Sequence, residues 1–128
     1  MTTTKVVDAS AVAALLFDET PADQIALALQ GYRLLAPRLL YFEVANTCVK
    51  KARNIPHRRV VFFAAFDKLL YMAIEIVDVD FRAVLDVAER HRLSAYDASY
   101  LWLALEIGAE LVTLDVELER AYTAVLQR

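Results

Sequence analysis

At 128 residues and 14.4 kDa the chain is long enough for one domain, residues 1–128, because a folded monomer of this mass hides about two-thirds of the surface its unfolded chain exposes. Hydrophobic residues make up 59 % and mean hydropathy is +0.38, yet no charge-free stretch exceeds nine residues and no long apolar run follows Met1, which excludes a spanning helix and a secretory signal and reads as cytoplasmic. The net charge of -3 excludes a chain that holds nucleic acid by being basic all over; a single cysteine excludes an internal disulfide, and two glycines and two histidines leave no phosphate loop or Ser-His-Asp hydrolase.

Short runs rich in branched residues, Lys5 to Asp8, Leu34 to Ala36, Ile74 to Val77 and Leu111 to Leu114, predict four strands. Between and after them, apolar positions at helical spacing predict helices over about Ser10 to Phe17, Ala22 to Gln30, Leu39 to Arg53, His57 to Leu70, Phe81 to His91, Ala95 to Ile107 and Val116 to Leu126. Such alternation implies an α/β fold with a mostly parallel central sheet covered by helices on both faces. Gly31 and Gly108 fall where helices must end, and Pro21, Pro37 and Pro56 fall near helix starts. Ser94 and Asp97 read as a capping box. Cys48 reads as a packing residue.

Charge is unevenly distributed. Between Val44 and Phe66 there is no Asp or Glu, while Lys50, Lys51, Arg53, Arg58 and Arg59 supply +5. Two readings stand: a helix end whose basic residues complement the dipole and project into water, or a patch that tracks phosphates. Val60 to Phe66 and Leu69 to Met72 are apolar nearly all round. Core packing is the favoured reading, with a dimer or partner surface as the other. Tyr96, Tyr100 and Trp102 fit core aromatics better than base-stacking groups.

Ligands of an open parallel sheet bind beyond the carboxyl ends of its strands. Asp8 ends the first predicted strand, Asp115 follows the last, and Asp97 opens the helix before it. Glu43 interrupts a helix apolar enough to be mostly buried, although Asn46, Thr47 and Lys50 share its face. Each Asp alone is explained as a helix cap. Gathered together, the four would repel one another unless a cation compensated them, and an all-oxygen site selects Mg2+ or Mn2+.

The runs Val6 to Ala11, Phe42 to Asn46, Ser94 to Ala98 and Leu111 to Asp115, in this order and spacing, resemble the PIN-domain nucleases, and among them the VapC-like toxins of VapBC toxin-antitoxin pairs. The resemblance covers residue 5 to about 122. It implies a three-layer α/β/α sandwich and a metal-dependent endoribonuclease with Asp8, Glu43, Asp97 and Asp115 around Mg2+ or Mn2+. Ser10, Asn46 and Thr113 match small polar positions that support the acids, and Glu117 is an alternative or additional ligand to Asp115. The same resemblance implies an RNA substrate, a homodimer and a cognate antitoxin. A PIN nuclease of RNA processing, or a non-catalytic protein-binding module whose acids only cap helices, are the alternatives. A receiver domain would need an acidic pair at the first strand end, and a haloacid-dehalogenase-like phosphatase a second Asp where Ser10 stands.

Overall fold

The computed structural model describes residues 3–127; Met1, Thr2 and Arg128, the ends of the expected domain, lie outside them. The chain runs β1 (Thr4–Val7), α1 (Ala9–Leu16), α2 (Ala22–Leu29), β2 (Arg33–Pro37), α3 (Leu39–Asn54), a short 3-10 turn (Pro56–Arg58), α4 (Arg59–Leu69), β3 (Glu75–Val77), α5 (Phe81–His91), α6 (Ala95–Ile107), β4 (Glu110–Val112) and α7 (Val116–Leu126). The predicted alternation is therefore present, with β1 ending at Val7 and β4 at Val112, so that Asp8, Thr113 and Leu114 lie just past the strands, and with one change of helix type. The helix expected from His57 begins as a 3-10 turn at Pro56, whose ring suits a first turn that needs no amide proton, and becomes α-helical at Arg59.

All strand pairs are parallel, in the order β3-β2-β1-β4. Val6 and Val7 are wholly buried, and Leu34 to Pro37 are buried too, as expected of strands covered on both faces. One helical layer is α1 packed on α2, α3 and α4; the other is α6, which crosses β1, β2 and β4 and carries α5 and α7. The architecture is a three-layer α/β/α sandwich. From β1 the chain builds toward β2 and β3, then returns to place β4 on the other side of β1. Ligands of an open parallel sheet bind at such a reversal, and here side chains just past the carboxyl ends of β1 and β4, Asp8 and Thr113, meet.

Helix ends follow local chemistry. Asp8, Asp80, Ser94 and Asp115 accept amide hydrogen bonds as caps of α1, α5, α6 and α7. Gly108 ends α6 with φ +65, and no neighbour lies where its Cβ would be, so the position requires the left-handed backbone and not the small volume.

Two burial expectations are corrected. The α3 helix is not mostly buried: only Leu40, Val44 and Cys48 are, a single stripe, while Phe42 is 72 % exposed. On α4 the core claims Phe62, Ala65 and Leu69, leaving Val60, Val61 and Phe63 exposed along with Leu70 and Tyr71 just beyond. Core packing thus accounts for one face of that apolar run. The four-stranded sheet is small, and α4 packs chiefly on α3 and α1.

Candidate active site

Asp8 stands at the junction of β1 and α1 and is only 4 % exposed. Three donors converge on it. Ser10 Oγ and the Ala11 amide reach Oδ1 at 2.7 and 3.1 Å, and Thr113 Oγ1 donates to Oδ2. Strand register makes the last contact possible: Val7 pairs with Val112, and the Asp8 amide continues the ladder to the Val112 carbonyl at 3.2 Å. The same hydroxyls also accept. Ser10 Oγ takes the Leu114 amide at 2.9 Å and Thr113 Oγ1 takes the Asp115 amide at 3.0 Å. With both hydroxyl protons committed to Asp8, the 3.4 Å approach of Ser10 Oγ to Thr113 Oγ1 is a packing contact. The expected supporting role of Ser10 and Thr113 thus has a geometry: they tie Asp8 to the segment that carries Asp115.

Asp115 caps α7 through Oδ1, which accepts from the Leu118 amide at 3.0 Å. Asp97 lies in the first turn of α6, where Ser94 Oγ accepts its amide at 3.1 Å. The capping box is half formed, because the Asp97 carboxylate returns no bond to Ser94. Glu43 projects half-buried from α3, and its Oε1 accepts a 2.7 Å hydrogen bond from the phenol of Tyr100. The Tyr100 contact was not foreseen. Helical periodicity correctly put Tyr100 inside, at 1 % exposure, but does not reveal which acid its hydroxyl meets.

Electrostatics gather these acids into one site. Burial pushes the Asp8 carboxyl above its ordinary value of 3.8, against the pull of its hydrogen bonds to Thr113, Ser10 and Ala11, and Asp115 adds to the rise. Burial likewise raises Glu43, opposed by the Tyr100 bond and reinforced by Asp97, Asp8 and Asp115. Asp97 is raised by burial, then by Asp115 and Asp8. Tyr100 itself is pushed well above the ordinary tyrosine range by burial and by its bond to Glu43, so its hydroxyl stays a donor. Among the described residues no Lys or Arg pairs with any of the four acids. The acids stand within electrostatic reach of one another, but no three Asp, Glu, His or Cys among the described residues are close enough together to enclose an ion.

The donor set nevertheless suits a hard divalent cation. It is all oxygen, anionic and without a protein counter-charge, and Glu43 Oε2, Asp115 Oδ2 and both Asp97 oxygens accept no hydrogen bond among the described residues.

The other expected site residues fare differently. Asn46 lines a cavity of about 490 Å3 with Leu39, Phe42, Glu43 and Tyr96, but bonds to no acid. Glu117 is exposed, two residues after Asp115 in the first turn of α7, and forms a 2.9 Å surface ion pair with Arg120. The basic segment lies beyond the acids along α3. At 1.5 Å per residue Lys50 is roughly 10 Å and Arg53 roughly 15 Å from Glu43. Lys51 stacks over Phe17 at 4.8 Å, Arg58 over Phe62 at 5.5 Å and Arg59 over Phe63 at 4.3 Å. These rings hold the cations at the α3–α4 corner, and none touches an acid. Phe42 and Tyr96, neighbours in sequence of Glu43 and Asp97, flank the cavity as exposed aromatics. Phe42 escaped the sequence reading because an aromatic beside Leu39, Leu40 and Tyr41 resembles core.

The family model for the PIN domain matches residues 5–124 of this chain. The chain is 33 % identical, over an alignment of 132 positions, to Ribonuclease VapC3 of Pyrobaculum aerophilum, covering 94 % of this chain and 96 % of that protein. The crystal structure of PAE2754 from Pyrobaculum aerophilum superposes with a TM-score of 0.75 at 28 % identity, covering 100 % of this chain and 97 % of that one.

Proposed function

This chain belongs to the PIN domain family, and on that premise we propose that it is an endoribonuclease that hydrolyses RNA phosphodiester bonds at Asp8, Glu43, Asp97 and Asp115, with Mg2+ or Mn2+ as cofactor. The observation that carries the reading is that Asp8, Glu43 and Asp97, each raised first by burial and then by other acids of the same set, meet no Lys or Arg partner among the described residues. Such a site repels a phosphodiester unless a cation neutralises it.

Asp8 and Asp97 are the principal ligands. Asp8 is held rigid by Ser10, Thr113 and the α1 amide, whereas Asp97 presents both oxygens unclaimed. Glu43 and Asp115, each with one oxygen bound within the protein, complete the shell or orient the attacking water. A bound divalent ion lowers the pKa of water and stabilises charge on the scissile phosphate and leaving oxygen. Lys50, Lys51, Arg53, Arg58 and Arg59, none of which pairs with a site acid among the described residues, hold flanking phosphates, which positions the strand without touching the reaction.

The biological role we assign is the toxin of a VapBC-type pair, acting as a homodimer with a cognate antitoxin. The name of the Pyrobaculum relative, a VapC ribonuclease, supports the VapC role. So does the apolar surface left exposed by α4, at Val60, Val61, Phe63, Leu70 and Tyr71, which suits a protein partner. The test is induced expression of wild type beside Asp97→Asn with RNA ends mapped, together with purified cleavage in Mn2+ or EDTA. New RNA ends and growth arrest only with wild type, abolished by EDTA, are expected. Identical RNA ends from both chains would overturn the nuclease reading. Cleavage without arrest, and no small protein co-purifying from an adjacent reading frame, would favour RNA processing.

A further inference from the structure

The acids come from four separate elements, and three of them are fixed by backbone. Asp8 and Asp115 sit at strand ends joined by the β1–β4 ladder and by the two hydroxyls, and Asp97 is in the first turn of α6. Glu43 differs. It extends on three side-chain torsions from α3, which belongs to the opposite helical layer from α6. Left to itself, a half-buried glutamate repelled by three other acids would rotate toward water.

One group prevents this. Tyr100 lies three residues after Asp97 on α6, so the same helix face carries both. Its ring is packed in the core, and its hydroxyl spans from α6 to Glu43 on α3 at 2.7 Å. An ionised carboxylate only accepts, so the phenol is the donor. The bond occupies Oε1 and leaves Oε2 unclaimed. A tyrosine buried to 1 % needs one partner for its hydroxyl, and this one has selected a site acid over any backbone carbonyl.

We propose that Tyr100 is a positioning residue of the acid site: its phenol holds Glu43 by Oε1 so that Oε2 is presented to a divalent cation at a fixed distance from Asp97. The inference rests on the metal-dependent reading above. The partner of a ligating carboxylate typically influences metal affinity by about 10- to 100-fold, and a half-exposed Glu43 that water can partly re-solvate belongs at the lower end.

Tyr100→Phe tests it, because the ring that packs the core is kept and only the hydroxyl is lost. Mn2+ binding to the purified full chain is measured by electron paramagnetic resonance titration for wild type, Tyr100→Phe, Glu43→Gln and the double variant, with thermal melting as a check of the fold. The expected result is a Tyr100→Phe chain that melts cooperatively, binds Mn2+ about tenfold more weakly, and recovers RNA cleavage as Mn2+ is raised. In the Glu43→Gln background the same change should cost nothing further, since the phenol acts through the carboxylate. Affinity within twofold of wild type, or full additivity of the two changes, overturns the proposal. A wild-type chain that binds no Mn2+, or an Asp97→Asn control that binds it equally well, overturns the metal reading itself and this inference with it. Should Tyr100→Phe fail to melt cooperatively, Glu43→Asp, which withdraws the carboxylate from the phenol by one methylene, must weaken Mn2+ binding; unchanged affinity there overturns the proposal.

Discussion

The Thr113 hydroxyl donates to Asp8 Oδ2 although 105 positions separate the two residues, and it accepts the Asp115 amide at 3.0 Å in the same stroke. One side chain thereby couples the ends of β1 and β4 and two of the acids. Thr113→Val, which keeps the shape and removes the hydroxyl, leaves a buried carboxylate oxygen short of a donor and an amide without its acceptor. We expect a loss of about 1–3 kcal/mol in urea denaturation. Cleavage should fall by more than the unfolded fraction explains. Stability within about 0.5 kcal/mol of wild type, the range of an ordinary surface change, would show that the hydroxyl is not needed.

Ionisation of Asp8 works against folding when no cation is present. Its carboxyl is raised in the folded chain by burial, so the folded state binds the proton more tightly than the unfolded state does. Stability from this group is complete below the ordinary value of 3.8 and is lost as pH rises through the elevated folded value. Asp8→Asn removes that dependence. In EDTA, the stability of Asp8→Asn relative to wild type should rise with pH across the window above 3.8 and then level off. Denaturation at a series of pH values reads this directly, and a flat or falling difference would contradict the sign.

A divalent ion bound only by the folded chain stabilises it by mass action, by about 2.7 kcal/mol at a hundred times the dissociation constant. Melting temperature should therefore climb with Mn2+ and return with EDTA. Asp97→Asn should abolish most of the shift. An equal shift in that variant would place the ion elsewhere.

The cations at the α3–α4 corner are expected to govern RNA binding and not the chemical step. Replacing Lys50 and Arg59 by Ala should raise KM and flatten the dependence of binding on salt, with kcat and Mn2+ affinity unchanged. Lys50 is exposed and Arg59 rests on Phe63, so neither change should disturb the core. A drop in kcat with KM unaltered would assign them a different role.

Local pattern alone was enough for most of the framework. Branched runs marked β1 to β4, helical spacing marked α1 to α7, and Asp8, Ser94 and Asp115 could be recognised as caps because each bonds an amide only three residues away. The order of motifs from Asp8 to Asp115 also identified the family, since those residues follow strand ends and helix starts that the chain specifies locally. Burial of α3 and α4 was overestimated for the same reason: periodicity shows that a face is apolar, but not whether another element arrives to cover it. Phe42, Val60 and Tyr71 remain exposed although each belongs to an apolar run.

Only the tertiary structure decided which distant groups meet. Composition implied that four acids needed compensation, but the strand order β3-β2-β1-β4 is what puts Thr113 on Asp8, and the packing of α6 across the sheet is what carries the Tyr100 hydroxyl to Glu43. It also paired Glu117 with Arg120 and set Arg58 and Arg59 over the rings of Phe62 and Phe63, contacts that charge along the sequence does not reveal. A hydrogen bond depends on position to a fraction of an ångström, and residues 57 or 105 apart acquire that position only when the whole fold closes.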